Sequence, residues 1–286
     1  MRLSVVLITL NEEANLPPTL ASVRPLVADG VGEIIVLDSG SMDRTLEIAH
    51  AHGARIFSEE WKGYSAQKNS AIDKAAGEWV LSLDADESLE PELAEEILEV
   101  LAVYQTFDHA RQSGDPLESG KLQLFDGKHG EVEIGEKVNG YRIPFKHHFL
   151  GRWVKHGGFY PDRKLRLFRK GQGRFKERAV HEAVEVDGAT GQLNHAIIHR
   201  GYPTLSAYIE HMNRYSTLGA EVTGKRGFSL INIVLRPWAT FVYNYFFRLG
   251  FLDGREGLLL HLYHAVYVSW KYAKAWEQGR RREAGR

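Results

Sequence analysis

Trp79-Val80-Leu81-Ser82-Leu83-Asp84-Ala85-Asp86-Glu87 is an apolar run of strand length that stops abruptly at carboxylates. Alternate residues of a strand share a face, so Asp84 and Asp86 are expected to point the same way. Carboxylates buried without partners are costly, and two of them closing a buried strand predict a cation beside them. All-oxygen donors suit a hard divalent ion, magnesium or manganese. A strand that simply ends in a polar turn gives the same letters, and a DxD standing alone supports nothing more. Here the surrounding sequence adds to it.

The chain up to Val100 alternates apolar strands with amphipathic helices. Strands are expected at Ser4–Leu10, Glu33–Leu37, Ala54–Phe57 and Trp79–Leu83. Helices are expected from Asn11 toward Val27, from Arg44 to His52 and from Tyr64 to Ala76. A fourth follows Pro91, a good first helical residue, and covers Glu92–Val100. Gly53 and Gly77 read as stop signals. This alternation implies a mostly parallel sheet covered on both faces. In such sheets ligands bind beyond the carboxyl ends of the strands. Three polar clusters fall there: Thr9/Asn11/Glu12, Asp38 to Asp43, and Asp84/Asp86. Their coincidence is a stronger signal than any one of them.

Residues 105–138 are polar, without a clear period, and are expected to form a mobile loop or a small hairpin. Tyr141–Phe149 resumes an extended pattern, and Gly151–Gly158 is turn-rich and aromatic. Leu165–Arg169 alternates apolar and basic residues, and Arg166 and Arg169 are expected on one face. Short apolar pieces at Ala179–Val184 and Ile197–Tyr202 each carry titratable residues, and Leu205–Ala220 reads as a helix. Phe228–Phe251 and Leu258–Trp276 are dense in aromatic and aliphatic residues, and Lys271–Arg286 is basic. Such a mixture suits helices lying in a membrane interface beside anionic lipids. Two core helices and a solvated basic tail are the competing account. The expected organisation is a first half over 1–104, an excursion over 105–138, a second half over 139–222 and a helical segment over 223–286.

Bulk properties narrow the classes. The chain has 286 residues, 43% of them hydrophobic, and a net charge of −1. It has the size and core content of one large domain or a domain with an appendage. Without a whole-chain basic field, nucleic-acid binding is not expected. With no cysteine, disulfides and thiolate metal sites are excluded. The apolar run after Met1 is too short for a signal peptide. It reads as a first strand, with the chain expected in the cytoplasm. No uncharged apolar stretch reaches the length of a spanning helix.

With Thr9-Leu10-Asn11-Glu12, Asp38-Ser39-Gly40-Ser41-Met42-Asp43-Arg44-Thr45 and Asp84-Ala85-Asp86 in place, the sequence resembles glycosyltransferase family 2, whose members share the GT-A fold. Beyond residue 140 it is similar to the lipopolysaccharide-core branch of that family (WaaE/KdtX-type glucosyltransferases). That likeness rests on Gly151–Gly158, Arg166-Leu167-Phe168-Arg169, His181-Glu182, His199 with Gly201-Tyr202, and Gly250–Gly257. The fold it implies is an α/β, Rossmann-like mixed sheet with a C-terminal helical, membrane-interface appendage.

The resemblance implies a UDP-sugar donor, with glucose the sugar, and a lipopolysaccharide-core or similar lipid-linked acceptor at the inner face of the bacterial inner membrane. Thr9, Asn11 and Glu12 would line the nucleotide pocket, and Asp38 would bond the base or ribose. Ser41 and Asp43 would support that pocket. Asp84 and Asp86 would hold the metal against the donor phosphates. Lys68 would reach the nucleotide or diphosphate, and a solvated helix lysine explains it equally well. Arg166 and Arg169 would clasp a phosphorylated acceptor or the diphosphate bidentately, with an exposed sheet face as the rival account.

The chemistry implied is inverting transfer. A diphosphate leaves without a general acid, so one base suffices to take the acceptor proton, whereas a glycosidase needs two carboxylates across the bond. Glu182 is the candidate base. His181, its neighbour, would face the other way and serve structure. His199 is a candidate for completing the metal or phosphate site. A nucleotidyltransferase also uses paired aspartates and a metal, but would normally bring a Gly-rich, basic loop where Asn11-Glu12-Glu13 stands. A non-catalytic nucleotide-sugar-binding protein is the remaining alternative.

Overall fold

The computed structural model describes residues 2–113, 122–126, 130–134, 138–176, 183–223 and 228–284. In chain order the elements are β1 (Leu3–Thr9), α1 (Leu16–Val27), β2 (Gly32–Asp38), α2 (Thr45–Ala51), β3 (Arg55–Ser58), α3 (Tyr64–Asp73), β4 (Trp79–Asp84), β5 (Glu87–Leu89) and α4 (Pro91–Ser113). Then come β6 (Leu122–Asp126), β7 (Gly130–Ile134), β8 (Val138–Phe149), β9 (Arg152–Trp153), β10 (Asp162–Arg169), β11 (Gly173–Phe175), β12 (Val184–Val186), β13 (Ala189–Gln192) and β14 (Ile197–Tyr202). Three helices follow: α5 (Leu205–Thr223), α6 (Arg236–Val242) and α7 (Gly254–Ala284). The chain makes two compact units. The first comprises Met1–Pro144, Arg163–Lys176 and Ala183–Ile197, the second Phe145–Asp162, Glu177–Glu182 and Ile198–Arg286.

In the first unit β3, β2, β1 and β4 lie side by side in parallel, and β10 joins β4 antiparallel. The sheet is therefore mixed. β1, β2 and β4 are almost wholly buried, as their unbroken apolar runs require of parallel strands covered on both faces. The register aligns Thr9 with Asp38 and Ile8 with Asp84. Three adjacent strands thus deliver their polar residues to one edge. On one side of the sheet Val6, Ile35, Leu37 and Val80 pack with Ala71 and Ile72 of α3 and with Phe168 and Phe175.

The opposite edge holds a structural knot. Ser4 Oγ donates to Glu33 Oε1 at 2.7 Å, the Ala76 N–H donates to the same oxygen at 2.7 Å, and Arg55 pairs with Oε2. Burial works to raise the Glu33 carboxyl, and these bonds hold it below its ordinary value. Gly77 belongs here because a Cβ would stand 2.6 Å from the Leu3 carbonyl carbon. Gly77 was expected to stop a helix running to Ala76, but α3 ends at Asp73 with Lys74 as its cap, and the glycine identity reflects this close backbone approach.

Sequence and structure differ in α4. The helix runs to Ser113, through the start of the segment expected to be a mobile loop or a small hairpin. Leu93, Ile97, Leu101 and Tyr104 are buried at helical spacing, so the apolar stripe continues past Val100 even as the exposed positions turn polar. β6 and β7 pair antiparallel.

In the second unit β8 and β9 form a hairpin through Leu150 and Gly151, both with positive φ (52° and 81°), the requirement of a tight primed turn. Phe149, Val154, Tyr208 and Leu260 form its core. Lys274 Nζ ties α7 to α5, donating to the Asn213 carbonyl, Ser216 Oγ and Thr217 Oγ1. Asp253 is buried and accepts the N–H groups of Lys155 and His156. It also pairs with His156 Nδ1 at 2.9 Å. His261, 1% exposed, is wedged where Gly157 and Gly250 leave no room for a Cβ. Neither of its ring nitrogens finds a partner among the described residues. Burial pushes its pKa down to about 4. Among the described residues no helix is long and apolar enough to cross a membrane.

Candidate active site

The edge formed by β1, β2 and β4 is shaped by its loops. Asp38, 1% exposed, accepts from Thr9 Oγ1 (2.9 Å), Ser41 Oγ (2.5 Å) and the N–H groups of Gly40 and Ser41 (2.8 Å each). A carboxylate offers about four lone-pair sites, and all are engaged within the chain. Asp38, expected to bond a base or ribose, also folds the loop after β2. Asn11, at φ 56°, accepts the Met42 N–H on Oδ1 (2.9 Å) and gives its own N–H to Ser41 Oγ (2.8 Å). Asp43 takes the N–H groups of Thr45 and Glu13, and Glu12 donates its N–H to Thr45 Oγ1. The loops after β1 and β2 are therefore stapled together by the motif residues themselves.

Behind them lies a charged cluster. Lys68, from α3, meets Asp84 Oδ1 at 2.7 Å. Arg166, from β10, meets Asp84 Oδ2 at 3.1 Å and Glu87 Oε1 at 2.7 Å. Glu87 Oε2 accepts the Asp84 N–H at 2.9 Å. Lys68 and Arg166 are 5% and 6% exposed, so both cations depend on these carboxylates. Lys68 also lies 5.1 Å from the centre of the Phe175 ring. It is no solvated helix lysine. Glu87, 2% exposed, went unassigned in the sequence, although a buried arginine in the apolar strand Leu165–Phe168 demanded an acid. Buried Gln67, which donates to Ser39 Oγ at 3.1 Å, was likewise missed.

Two expectations need correction. β4 ends at Asp84, and Ala85-Asp86 turn into β5, so strand alternation does not carry Asp86 onto the Asp84 face. Arg166 and Arg169 are three apart, an odd spacing that separates them on a strand. Arg166 joins the carboxylates, while the Arg169 guanidinium stacks over Trp79 (4.9 Å) and Tyr104 (4.6 Å).

Asp84 and Glu87 roughly balance Lys68 and Arg166. Asp86 and Glu12 stand near enough for the charge of Asp86 to act on the Glu12 carboxyl. Burial raises the Glu12 carboxyl above its ordinary 4.5, against a bond from Asn15, and the charges of Asp86, Asp84 and Asp43 raise it further. A carboxyl raised by neighbouring negative charge is one that a nearby cation would relieve. Among the described residues no cluster of three or more such side chains forms a metal cage. One or two carboxylates completed by substrate phosphates are the usual mode for magnesium, and Asp84 and Asp86 fit that mode.

The second unit holds His199, whose Nδ1 lies 3.0 Å from His147 Nδ1. His147 Nε2 in turn lies 3.0 Å from Asp162 Oδ2. Glu182 and His181, the candidate base and its neighbour, lie outside the described residues.

Residues 4–144 match the family model Glycosyl transferase family 2, and this part of the chain belongs to that family. The match takes in the stapled loops, Lys68, Asp84 and Asp86. Along nearly its whole length the chain is similar to the lipopolysaccharide core biosynthesis glycosyltransferase LpsC of Rhizobium meliloti, at 26% identity over 96% of this chain and 92% of that one. An uncharacterized glycosyltransferase of Rickettsia typhi is 39% identical over 101 residues, 35% of this chain and about a third (33%) of its own length. A crystal structure of glucosyl-3-phosphoglycerate synthase from Mycobacterium tuberculosis with Mn2+, UDP-glucose and glycerol 3-phosphate aligns at 37% identity over 32% of this chain and 35% of that one. Its TM-score of 0.28 carries no structural argument.

Proposed function

We propose that the chain is an inverting glycosyltransferase that moves a sugar, glucose by family resemblance, from a UDP-sugar to a lipopolysaccharide-core or similar lipid-linked glycan. The observation that carries this reading is the gathering of Asp84, Asp86 and Glu12 with the buried cations Lys68 and Arg166 at the carboxyl edge of a family 2 domain. The whole-length likeness to a lipopolysaccharide core glycosyltransferase supports the acceptor class, and such an acceptor would bring the enzyme to the inner face of the bacterial inner membrane.

In this reading Asp84 and Asp86 hold magnesium or manganese, which when bound neutralises charge on the departing diphosphate. Lys68 and Arg166 supply fixed positive charge at the same edge, aimed by Asp84 and Glu87. Arg166 then serves the diphosphate, and Arg169 serves the fold. Thr9, Asn11, Ser41 and Asp43 hold the two loops in the shape that receives the nucleotide, with Asp38 organising the second loop. Glu182 takes the acceptor hydroxyl proton as the hydroxyl attacks the anomeric carbon from the far side. His199 is assigned to the metal or phosphate group, with His147 and Asp162 fixing its ring.

The direct test is a donor screen by thermal shift with UDP-, GDP- and ADP-sugars, each with manganese, with magnesium and with chelator. A UDP-sugar should give the largest stabilisation, and only with metal. Equal shifts for all three nucleotides, or none, would reject the assignment.

A further inference from the structure

The helical segment that contains α6 turns apolar side chains outward as well as inward. Between 230 and 247 Pro237 is buried, and Ile233, Phe241, Val242, Asn244 and Tyr245 are among the half-buried positions. The outward stripe carries Leu230, Ile231, Trp238, Tyr243, Phe246 and Phe247, which are 54% to 74% exposed. A surface helix normally puts its polar face outward, and a contiguous apolar patch of this kind marks an interaction site. Wide π-type turns at Ile231–Leu235 and Tyr243–Phe247 flank α6. The segment is too short and too interrupted to span a bilayer.

Charge identifies the occupant. From residue 222 to residue 252 there is no Asp or Glu, while Lys225, Arg226, Arg236 and Arg248 are basic. Arg236 and Arg248 are exposed. They stack over Tyr272 (5.4 Å) and Tyr243 (5.8 Å). A second copy would meet this stripe with the same stripe, and a two-fold contact would bury arginines near arginines with no acid on the segment to receive them. An anionic leaflet offers apolar chains to the aromatics and phosphates to the arginines.

We infer that residues 228–252 form a monotopic wedge, which enters one leaflet with its aromatic stripe among the acyl chains and Arg236 and Arg248 at phosphate level. This deepens the lipid-linked-acceptor reading above, and rests on it only for its biological purpose. Insertion differs from purely electrostatic adhesion in its salt response, because apolar burial survives screening.

The test uses the full chain with phosphatidylcholine vesicles, with and without phosphatidylglycerol, at low and high salt. Wild type should partition onto both surfaces and more strongly onto the anionic one, and salt should remove only the excess. Brominated lipids should quench Trp238 fluorescence, read as the difference between wild type and Trp238→Phe. The exposed pair Phe246→Ser/Phe247→Ser should lower partition about tenfold or more on both surfaces. UDP binding, measured by calorimetry on the same preparations, should not change. The wedge is overturned if no vesicle binds the chain, if salt strips it completely, if the double variant partitions like wild type, or if the pair merely breaks a dimer seen by ultracentrifugation. UDP binding that persists through any of those results leaves the transferase reading standing. Vesicle binding without any UDP binding would reject the transferase reading and keep the wedge.

Discussion

Asp84 and Asp86 differ in what they hold, and their substitutions should differ too. Asp84 compensates Lys68 and Arg166, so Asp84→Ala strands buried positive charge. Removing one partner of a fully buried pair costs about 3–5 kcal/mol. Asp84 is 32% exposed and Glu87 still serves Arg166, so a cost of about 2 kcal/mol is expected after screening, read as a lower urea midpoint. Asp86→Ala should abolish metal-assisted UDP binding with a smaller loss of stability. Equal stability losses in the two variants would contradict this division. Glu182→Gln keeps its size but cannot accept a proton. It should lower kcat by about 10²-fold or more while UDP affinity holds. A near-normal rate would move the base elsewhere. His261 supplies a pH prediction. Burial lowers its folded pKa from 6.5 to about 4, with Arg248 and His264 lowering it further and Asp253 opposing them. A neutral folded imidazole stabilises the chain above 6.5, and that contribution fades as pH falls from 6.5 toward 4, by at most about 1.4 kcal/mol per pH unit. His264, also lowered by burial and by Lys271, works in the same sense. The melting temperature should therefore drop across that window, and His261→Leu should flatten part of the drop. An unchanged slope in the variant would refute the role given to His261.

At the scale of elements, two joints carry the site. One is Gly77, against which β1 lies so closely that Gly77→Ala must displace backbone. Overpacking of this kind costs about 1–3 kcal/mol, and a denaturation midpoint equal to wild type would show that the contact yields. The other is the staple built on Asp38. These joints also mark what the sequence could and could not tell. Unbroken apolar runs located β1, β2 and β4, because a strand buried on both faces has no freedom to be polar. The edge they share was legible because Thr9, Asp38 and Asp84 each follow such a run. The end of β4 was not legible, since Ala85-Asp86 suits a strand as well as a turn. Nor was the balance of Asp84 against Lys68 and Arg166, which come from α3 and β10 and meet only through the sheet order. Glu87 lay inside the quoted stretch, yet its partner is 79 residues away. The continuation of α4 past Val100 was missed because Leu101 and Tyr104 carry the buried stripe on under a more polar exterior.

For the whole molecule, a family 2 domain supplies residues 4–144, and the last third turns an aromatic stripe outward. On the function proposed above, the first takes a water-soluble donor and the second meets the membrane that holds the acceptor. The division of labour predicts separable losses: Asp86→Ala should lose donor binding and keep vesicle binding, and Phe246→Ser/Phe247→Ser should do the reverse. Loss of both functions in either variant would argue against it. The central claim is sugar transfer itself. Its most direct measurement is proton NMR of the full chain with UDP-glucose, manganese and isolated lipopolysaccharide-core acceptor. The prediction is release of UDP matched by a new glycosidic signal of β configuration, inverted from the α-linked donor, and absent with chelator or in Asp86→Ala. Contradiction would be donor left intact with that acceptor, or a product that retains the α configuration.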